Sequence, residues 1–195
     1  MIKIKRFVCG NLEANGYVVS SQGHCLIIDP GYKPGLYEDY VGEHELEVEG
    51  IILTHHHYDH SGAAEQLRRE LACRVMMHRV DSDMYDDEVD VFFDGGEELT
   101  LGDEKLEIIH TPGHTGGGIC IMFPESKVCF TGDTVFNVDL GRTDLADGSQ
   151  REMEKSIKDI VDKWENDIRI YPGHGDDCTM KKVRKINREF LDIVG

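Results

Sequence analysis

The first eight residues, MIKIKRFV, alternate apolar and basic side chains, the period-two pattern of a strand with one face toward a core. Residues 17–20 and 25–28 read as two further short strands about the turn Ser21-Gln22-Gly23-His24, and Asp29-Pro30-Gly31 ends the second. A polar stretch over residues 34–44 predicts a helix. Residues 48–53 (VEGIIL) then predict a buried strand that runs straight into the stretch THHHYDHSG, residues 54–62. Apolar positions at helical spacing over 61–71 predict a helix, and 73–78 returns as a strand. Residues 105–110, 118–123 and 127–131 read as three more strands, 150–164 as a helix, 167–171 as a strand and 179–194 as a closing helix. Strands in runs, interleaved with helices, predict a layered α/β fold.

At 195 residues, with no repeat of fixed period and no composition break, the expectation is one domain over residues 1–195. The N-terminal stretch has no apolar core of a signal peptide, and no segment approaches spanning length, so a cytoplasmic protein without a membrane partner is expected. Six cysteines without a CxxC pair, mostly inside apolar runs, read as reduced core residues. A formal charge of −17 repels polyphosphate and argues against nucleic acid as a partner, leaving a small molecule. The acidic run over 81–98 reads as a solvated helix and loop, with a lid near a site as the alternative. The basic stretch 180–188 reads as a solvated face.

Chemistry concentrates in residues 54–62. If the chain stays extended past its strand, His55 and His57 share one side while His56 points to the other, a bystander. Asp59 and His60 lie where the chain turns into the next helix, so they can face a point near the first pair. Imidazole and carboxylate suit borderline divalent metals. Three more candidates end predicted strands in glycine-flanked turns: His114 in HTPGHT, Asp133 in TGDT and His174 in YPGHG.

These four motifs, in this order, resemble the metallo-beta-lactamase fold superfamily, whose motif is HxHxDH followed by distant His, Asp and His ligands. The resemblance runs from the Asn15-Gly16-Tyr17 segment to the last helix. It implies an α/β (α+β) fold, a four-layer αβ/βα sandwich. It also implies that His55, His57 and His114 hold one divalent ion, that Asp59, His60 and His174 hold a second, and that Asp133 bridges. Zinc is the first expectation for the two ions, with iron or manganese as alternatives. His24, His44 and His78 read as structural, and His110 as a packing residue or a support to the ligands.

Within the family, TGDTVF (131–136) and GRTDL (141–145) resemble the short hydroxyacylglutathione hydrolase (glyoxalase II)-like branch. The bridging Asp133 sets the chain apart from the antibiotic-hydrolysing members, and Gly175-Asp176 stands where the family often has Gly-Pro. The longer enzymes of the branch grip glutathione with an added C-terminal helical domain, whereas this chain ends soon after His174. The implied activity is metal-dependent hydrolysis of a thioester or ester carbonyl by a metal-bridging hydroxide, with S-lactoylglutathione or a similar hydroxyacyl thioester as substrate and Asp59 and Asp133 as the catalytic carboxylates. A thiolate leaving group needs no strong general acid. The alternatives are a lactonase of the same fold and a persulfide dioxygenase holding one iron through His55, His114 and Asp133. A metal-dependent binding or redox-partner module is a third.

Overall fold

A computed structural model describes residues 1–195. The first half builds a six-stranded sheet from β1 (Lys3–Cys9), β2 (Ala14–Ser21), β3 (His24–Ile28), β4 (Glu47–Ile52), β5 (Val75–His78) and β6 (Val91–Phe93), hydrogen-bonded in that order. Between them run α1 (Pro34–Glu43), α2 (Tyr58–Ser61), α3 (Ala64–Glu70) and α4 (Arg79–Ser82). The second half builds another six-stranded sheet, in which β7 (Glu98–Leu101), β8 (Glu104–His110), β9 (Ile119–Phe123), β10 (Val128–Gly132), β11 (Arg169–Pro172) and β12 (Cys178–Thr179) are neighbours in turn. It carries α5 (Gln150–Asp159), α6 (Met180–Ile186) and α7 (Arg188–Val194).

The strands explain their own layering. Along β3, Leu26 and Ile28 join a core that also holds Ile108, Ile121 and Phe130 of the second sheet, while Cys25 and Ile27 pack on Tyr37 of α1 and Leu67 of α3. β9 and β10 divide the same way: Ile121 and Phe130 enter the inter-sheet core, and Cys120 and Cys129 pack with Met153 and Ile157 of α5 and Val183 of α6. A strand buried on both faces must be apolar at every position, which is why these runs do not alternate. The result is helices, sheet, sheet, helices: the four-layer αβ/βα arrangement.

Several elements depart from the sequence expectation. The helix expected over 61–71 splits into α2 and α3, and the one over 150–164 ends at Asp159 with a 3₁₀ turn, Val161–Lys163, after it. The closing helix breaks at Asn187, which is fully buried. Its side chain accepts from the Phe190 N–H (2.9 Å) and donates to the carbonyls of Phe136 (3.1 Å) and Asp139 (2.7 Å). The acidic run is not wholly solvated: it contains β6, and Asp81 is 1% exposed. β7 went unseen because charged residues at Glu97, Glu98 and Asp103 mask a strand with one buried position, Leu101. On α6, Lys181, Lys182 and Lys185 are exposed, whereas Arg184 donates to Asn166 Oδ1, the Asp162 carbonyl and the Trp164 carbonyl. No helix is long and apolar enough to cross a membrane.

Candidate metal centre

All the candidate donors gather at one end of the two sheets, on the loops that leave β4, β8, β10 and β11. Beyond β4 the chain stays tied to both sheets: the Leu53 N–H donates to the Met76 carbonyl of β5 (3.0 Å), and the Ile119 N–H of β9 to the Thr54 carbonyl (3.0 Å). This extended passage presents His55 and His57 before α2 begins, with His57 at its N-cap position. The Ser61 hydroxyl lies 3.0 Å from the carbonyls of both His56 and His57 and fixes that first turn, which carries Asp59 and His60. Gly132 takes φ +46, and a side chain there would strike Thr54; a Cβ on Gly173 would strike the Asp133 carboxylate. Two glycine turns thus let Asp133 and His174 approach the cluster more closely than any residue with a Cβ permits.

The donors form two half-sets. His57 Nδ1 lies 3.0 Å from His114 Nε2, with the His55 ring centroid 4.8 and 5.0 Å from those of His57 and His114. His60 Nε2 lies 3.1 Å from His174 Nε2, and Asp59 Oδ2 lies 3.5 and 3.4 Å from these two nitrogens. Asp133 stands between the half-sets, Oδ1 at 3.5 Å from His60 Nε2 and Oδ2 at 3.4 Å from His114 Nε2 and 3.5 Å from His174 Nε2. Within each triad of ligand atoms, His55/His57/His114 and Asp59/His60/His174, all separations are under 4.8 Å. Two ligand atoms about 2.05 Å from one tetrahedral ion are about 3.3 Å apart. The Asp59/His60/His174 triad, at 3.1–3.5 Å, and the His57–His114 pair, at 3.0 Å, match that spacing.

Burial and hydrogen bonding make the same point. His55 Nε2 and Asp133 Oδ1 are buried and have no hydrogen-bond partner, a costly state unless a cation takes the lone pairs. The opposite ring nitrogens are engaged: His114 Nδ1 with the Arg142 carbonyl (2.7 Å), His174 Nδ1 with the Leu12 carbonyl (3.0 Å) and His55 Nδ1 with the Thr54 hydroxyl (3.0 Å). Contacts of this kind fix the tautomer that leaves the inner nitrogen free. Asp29, 2% exposed and in the left-handed region at φ +50, accepts from the Thr54 N–H (2.7 Å) and hydroxyl (2.6 Å) and lies 3.4 Å from His60 Nδ1.

The charges are segregated. Burial pushes the His55 imidazole well below its ordinary value, helped by His60, and burial with His114 lowers His57. Burial opposes charge on His174 too, but the Asp133 and Asp59 carboxylates reverse this and raise it to about 10. His60 is raised against its burial by Asp133 and Asp29. Burial works against the Asp133 charge, yet the surrounding imidazoles, His60 and His174 first, hold it far below the usual carboxylate range.

The remaining histidines serve other ends. His56 turns its ring from the donors to Asp81: its N–H and Nδ1 meet Asp81 Oδ2 at 3.0 and 3.1 Å, while Asp81 Oδ1 accepts from the Gly117 N–H at 2.5 Å. His78 and His110 stack at 4.0 Å, His44 stacks on Tyr40, and His24 faces Glu49. The supporting residues Asp29, Thr54 and Asp81 escaped sequence reasoning, as did the backbone acceptors of Leu12 and Arg142. The one available signal was an Asp before Pro-Gly at the end of an apolar run.

A profile of the Metallo-beta-lactamase superfamily matches residues 9–174. The chain is 29% identical over 191 residues to the probable metallo-hydrolase YqgX of Bacillus subtilis, covering 89% of this chain and 90% of that protein. It is 26% identical over 174 residues to the hydroxyacylglutathione hydrolase of Francisella tularensis subsp. novicida, covering 89% and 68%. Among solved structures, the BLEG-1 B3 metallo-beta-lactamase superposes with a TM-score of 0.87 at 24% identity over 95% of this chain and 98% of the other. TTHA1623 in a di-iron-bound form gives 0.83 at 26% identity, over 94% and 98%.

Proposed function

The chain belongs to the metallo-beta-lactamase superfamily, and from that premise we propose that it is a two-metal hydrolase acting on the thioester or ester carbonyl of a small molecule. The observation that carries the reading is the pair of complete donor triads joined by one buried carboxylate, Asp133. A mononuclear site would leave Asp59, His60 and His174 without a task. We assign His55, His57 and His114 to one ion, Asp59, His60 and His174 to the other, and Asp133 to both. His and Asp donors in this number suit zinc first, with iron or manganese as alternatives. The di-iron form of TTHA1623 shows that a relative takes a pair of ions.

When bound, such a pair supplies a hydroxide at neutral pH and a Lewis acid for the developing oxyanion. The chain's own residues supply order. Thr54, Arg142 and Leu12 fix three imidazoles through their outer nitrogens. Asp59 Oδ2 and Asp133 Oδ2 approach the same His174 nitrogen at 3.4 and 3.5 Å, and the catalytic role given to them here is that they would accept from the attacking water and orient it. A thiolate leaves with a pKa near roughly 8.5, so no side chain has to deliver a proton early. The Francisella relative's name supports a hydroxyacyl thioester such as S-lactoylglutathione as the substrate. A cytoplasmic setting accords with that substrate.

The test is metal analysis paired with turnover. The expected result is about two divalent ions per chain and hydrolysis of S-lactoylglutathione or another thioester, with Asp133→Ala and His57→Ala each losing one ion or both. One iron per chain together with oxygen consumption on glutathione persulfide would overturn the hydrolase reading. Faster turnover of other thioesters or of lactones would retain the hydrolase and discard glutathione.

A further inference from the structure

A buried polar chain with no assigned task joins the two turns that carry His114 and Asp133. The Thr111 hydroxyl lies 2.9 Å from the Thr134 hydroxyl and 3.3 Å from Cys120 Sγ, and the Cys120 thiol donates to the Thr131 carbonyl at 3.8 Å. Thr111, Cys120, Thr131 and Thr134 are each at most 3% exposed. One direction of donation satisfies every member: Thr134 O–H to Thr111, Thr111 O–H to Cys120, Cys120 S–H to the Thr131 carbonyl. That carbonyl also accepts from the Thr134 N–H at 3.0 Å, so the chain closes across the turn that holds Asp133. A fully satisfied buried network specifies one arrangement of the segments that share it, because any shift orphans a polar group. Here both segments are ligand turns. The Thr111 N–H closes the base of the His114 loop on the Gly118 carbonyl at 2.8 Å, and Thr134 follows Asp133 directly. The two turns are packed backbone to backbone: a Cβ on Gly141 would strike the Asp133 carbonyl and come within 3.1 Å of His114 Cβ.

We propose that Thr111 and Thr134 are positioning residues for the bridging carboxylate: their hydroxyl pair holds the Asp133 turn against the His114 turn, so that one carboxylate reaches both half-sites. This rests on the ligand assignment made above. The Asp133 oxygens stand 3.4 Å from His114 Nε2 on one side and 3.5 Å from His60 and His174 Nε2 on the other, a span that a small displacement of the turn would spoil. Without the hydroxyl pair each ion keeps its own triad, and what is lost is the bridge of fixed length between them. Partners that orient ligands in this way are worth roughly 10- to 100-fold in metal affinity.

The experiment separates the hydroxyl from the shape of the side chain. In the double variant Thr111→Val/Thr134→Val both partners become apolar with their shape kept, so no hydroxyl is orphaned and the fold loses little stability. Thr111→Ser and Thr134→Ser keep the hydroxyl and lose a buried methyl, so they unfold at lower temperature. These proteins and wild type are compared in competitive zinc titrations against a chromophoric chelator. The visible spectrum and magnetic coupling of the cobalt-loaded forms and the thermal unfolding of the metal-free forms are recorded alongside. The double variant is expected to bind the weaker of its two ions about 10- to 100-fold less tightly, to keep the stronger within about threefold, and to lose the coupling between its cobalt ions. The serine variants are expected to keep wild-type affinities and spectra despite their lower stability. Wild-type affinities and cobalt signals in the double variant would overturn the proposal alone, as would serine variants that lose metal as readily as it does. Should the double variant fail to fold, Thr134→Val, which leaves the Thr111 to Cys120 link in place, decides by the same readings. A wild type that binds fewer than two divalent ions tightly would overturn the ligand assignment and this proposal with it.

Discussion

Asp81 holds its charge at 1% exposure because every approach to its carboxylate is a donor: the His56 N–H and ring on one oxygen, the Gly117 N–H on the other. His56 returns the favour, its imidazole raised above its ordinary value against its own burial by Asp81 and then Asp147. The residue between two proposed ligands is thus a strut between the loop that carries them and the glycine turn after His114. His56→Ala removes one donor from a buried carboxylate and opens a void, for a loss of about 1–3 kcal/mol. Urea unfolding is expected to show that loss while metal analysis still finds about two ions per chain; an emptied centre would mean that His56 is itself a ligand. The ligand candidates were legible at this scale because imidazoles and carboxylates beside glycine turns are rare and conspicuous. Their supports were not. Carbonyl acceptors such as Leu12 and Arg142 carry no side-chain signature, and Asp81 sits in a run of acids that is otherwise mostly solvated.

Among the elements, α7 shows how a distant helix reaches the centre. Asn187 caps it through the Phe190 N–H and, with the other end of its amide, donates to Phe136 and Asp139 on the loop that follows Asp133. Asn187→Ala abolishes the cap and leaves two carbonyls without their donor. The expected cost is about 1–3 kcal/mol in chemical denaturation, with Asn187→Asp, which keeps the cap but turns a buried carboxylate oxygen onto the same two carbonyls, no more stable than Asn187→Ala. Equal stability of all three proteins would show that the loop finds other donors. The break at Asn187 had a sequence cue, since asparagine is a preferred N-cap; good helix formers on both sides hid it. The buried strands β3, β9 and β10 were readable because each is apolar on both faces, and β4 because its second half, Gly50–Ile52, is buried. The edge strands β6 and β7 were not, having one buried position each.

For the whole molecule, the two sheets bring two half-sets of unlike charge to one end of the sandwich. The apolar runs announced the layers, but not that loops from both halves of the chain would meet there; that came from the family motifs. The segregation has a consequence for metal loading. Without metal, His55 and His57 are lowered and hold no proton at neutral pH, whereas His60 is raised and His174 is raised to about 10. A metal-bound imidazole nitrogen cannot keep its proton, so filling the Asp59, His60, His174 triad at pH 7 must expel the proton on His174, about one per chain. In the other triad His55 and His57 are both lowered and do not compete with an ion in this way. The sign follows: raising pH toward 10 removes the competing protons and strengthens binding at the second triad, and lowering pH weakens that triad first. Zinc titration calorimetry at pH 7 in two buffers of different ionisation enthalpy reads this directly. The expected record is two binding phases, the one for the second triad having a heat that shifts with buffer by the equivalent of about one proton more than the other. A proton count near zero in both phases would remove His174 from the ligand set and break the second triad.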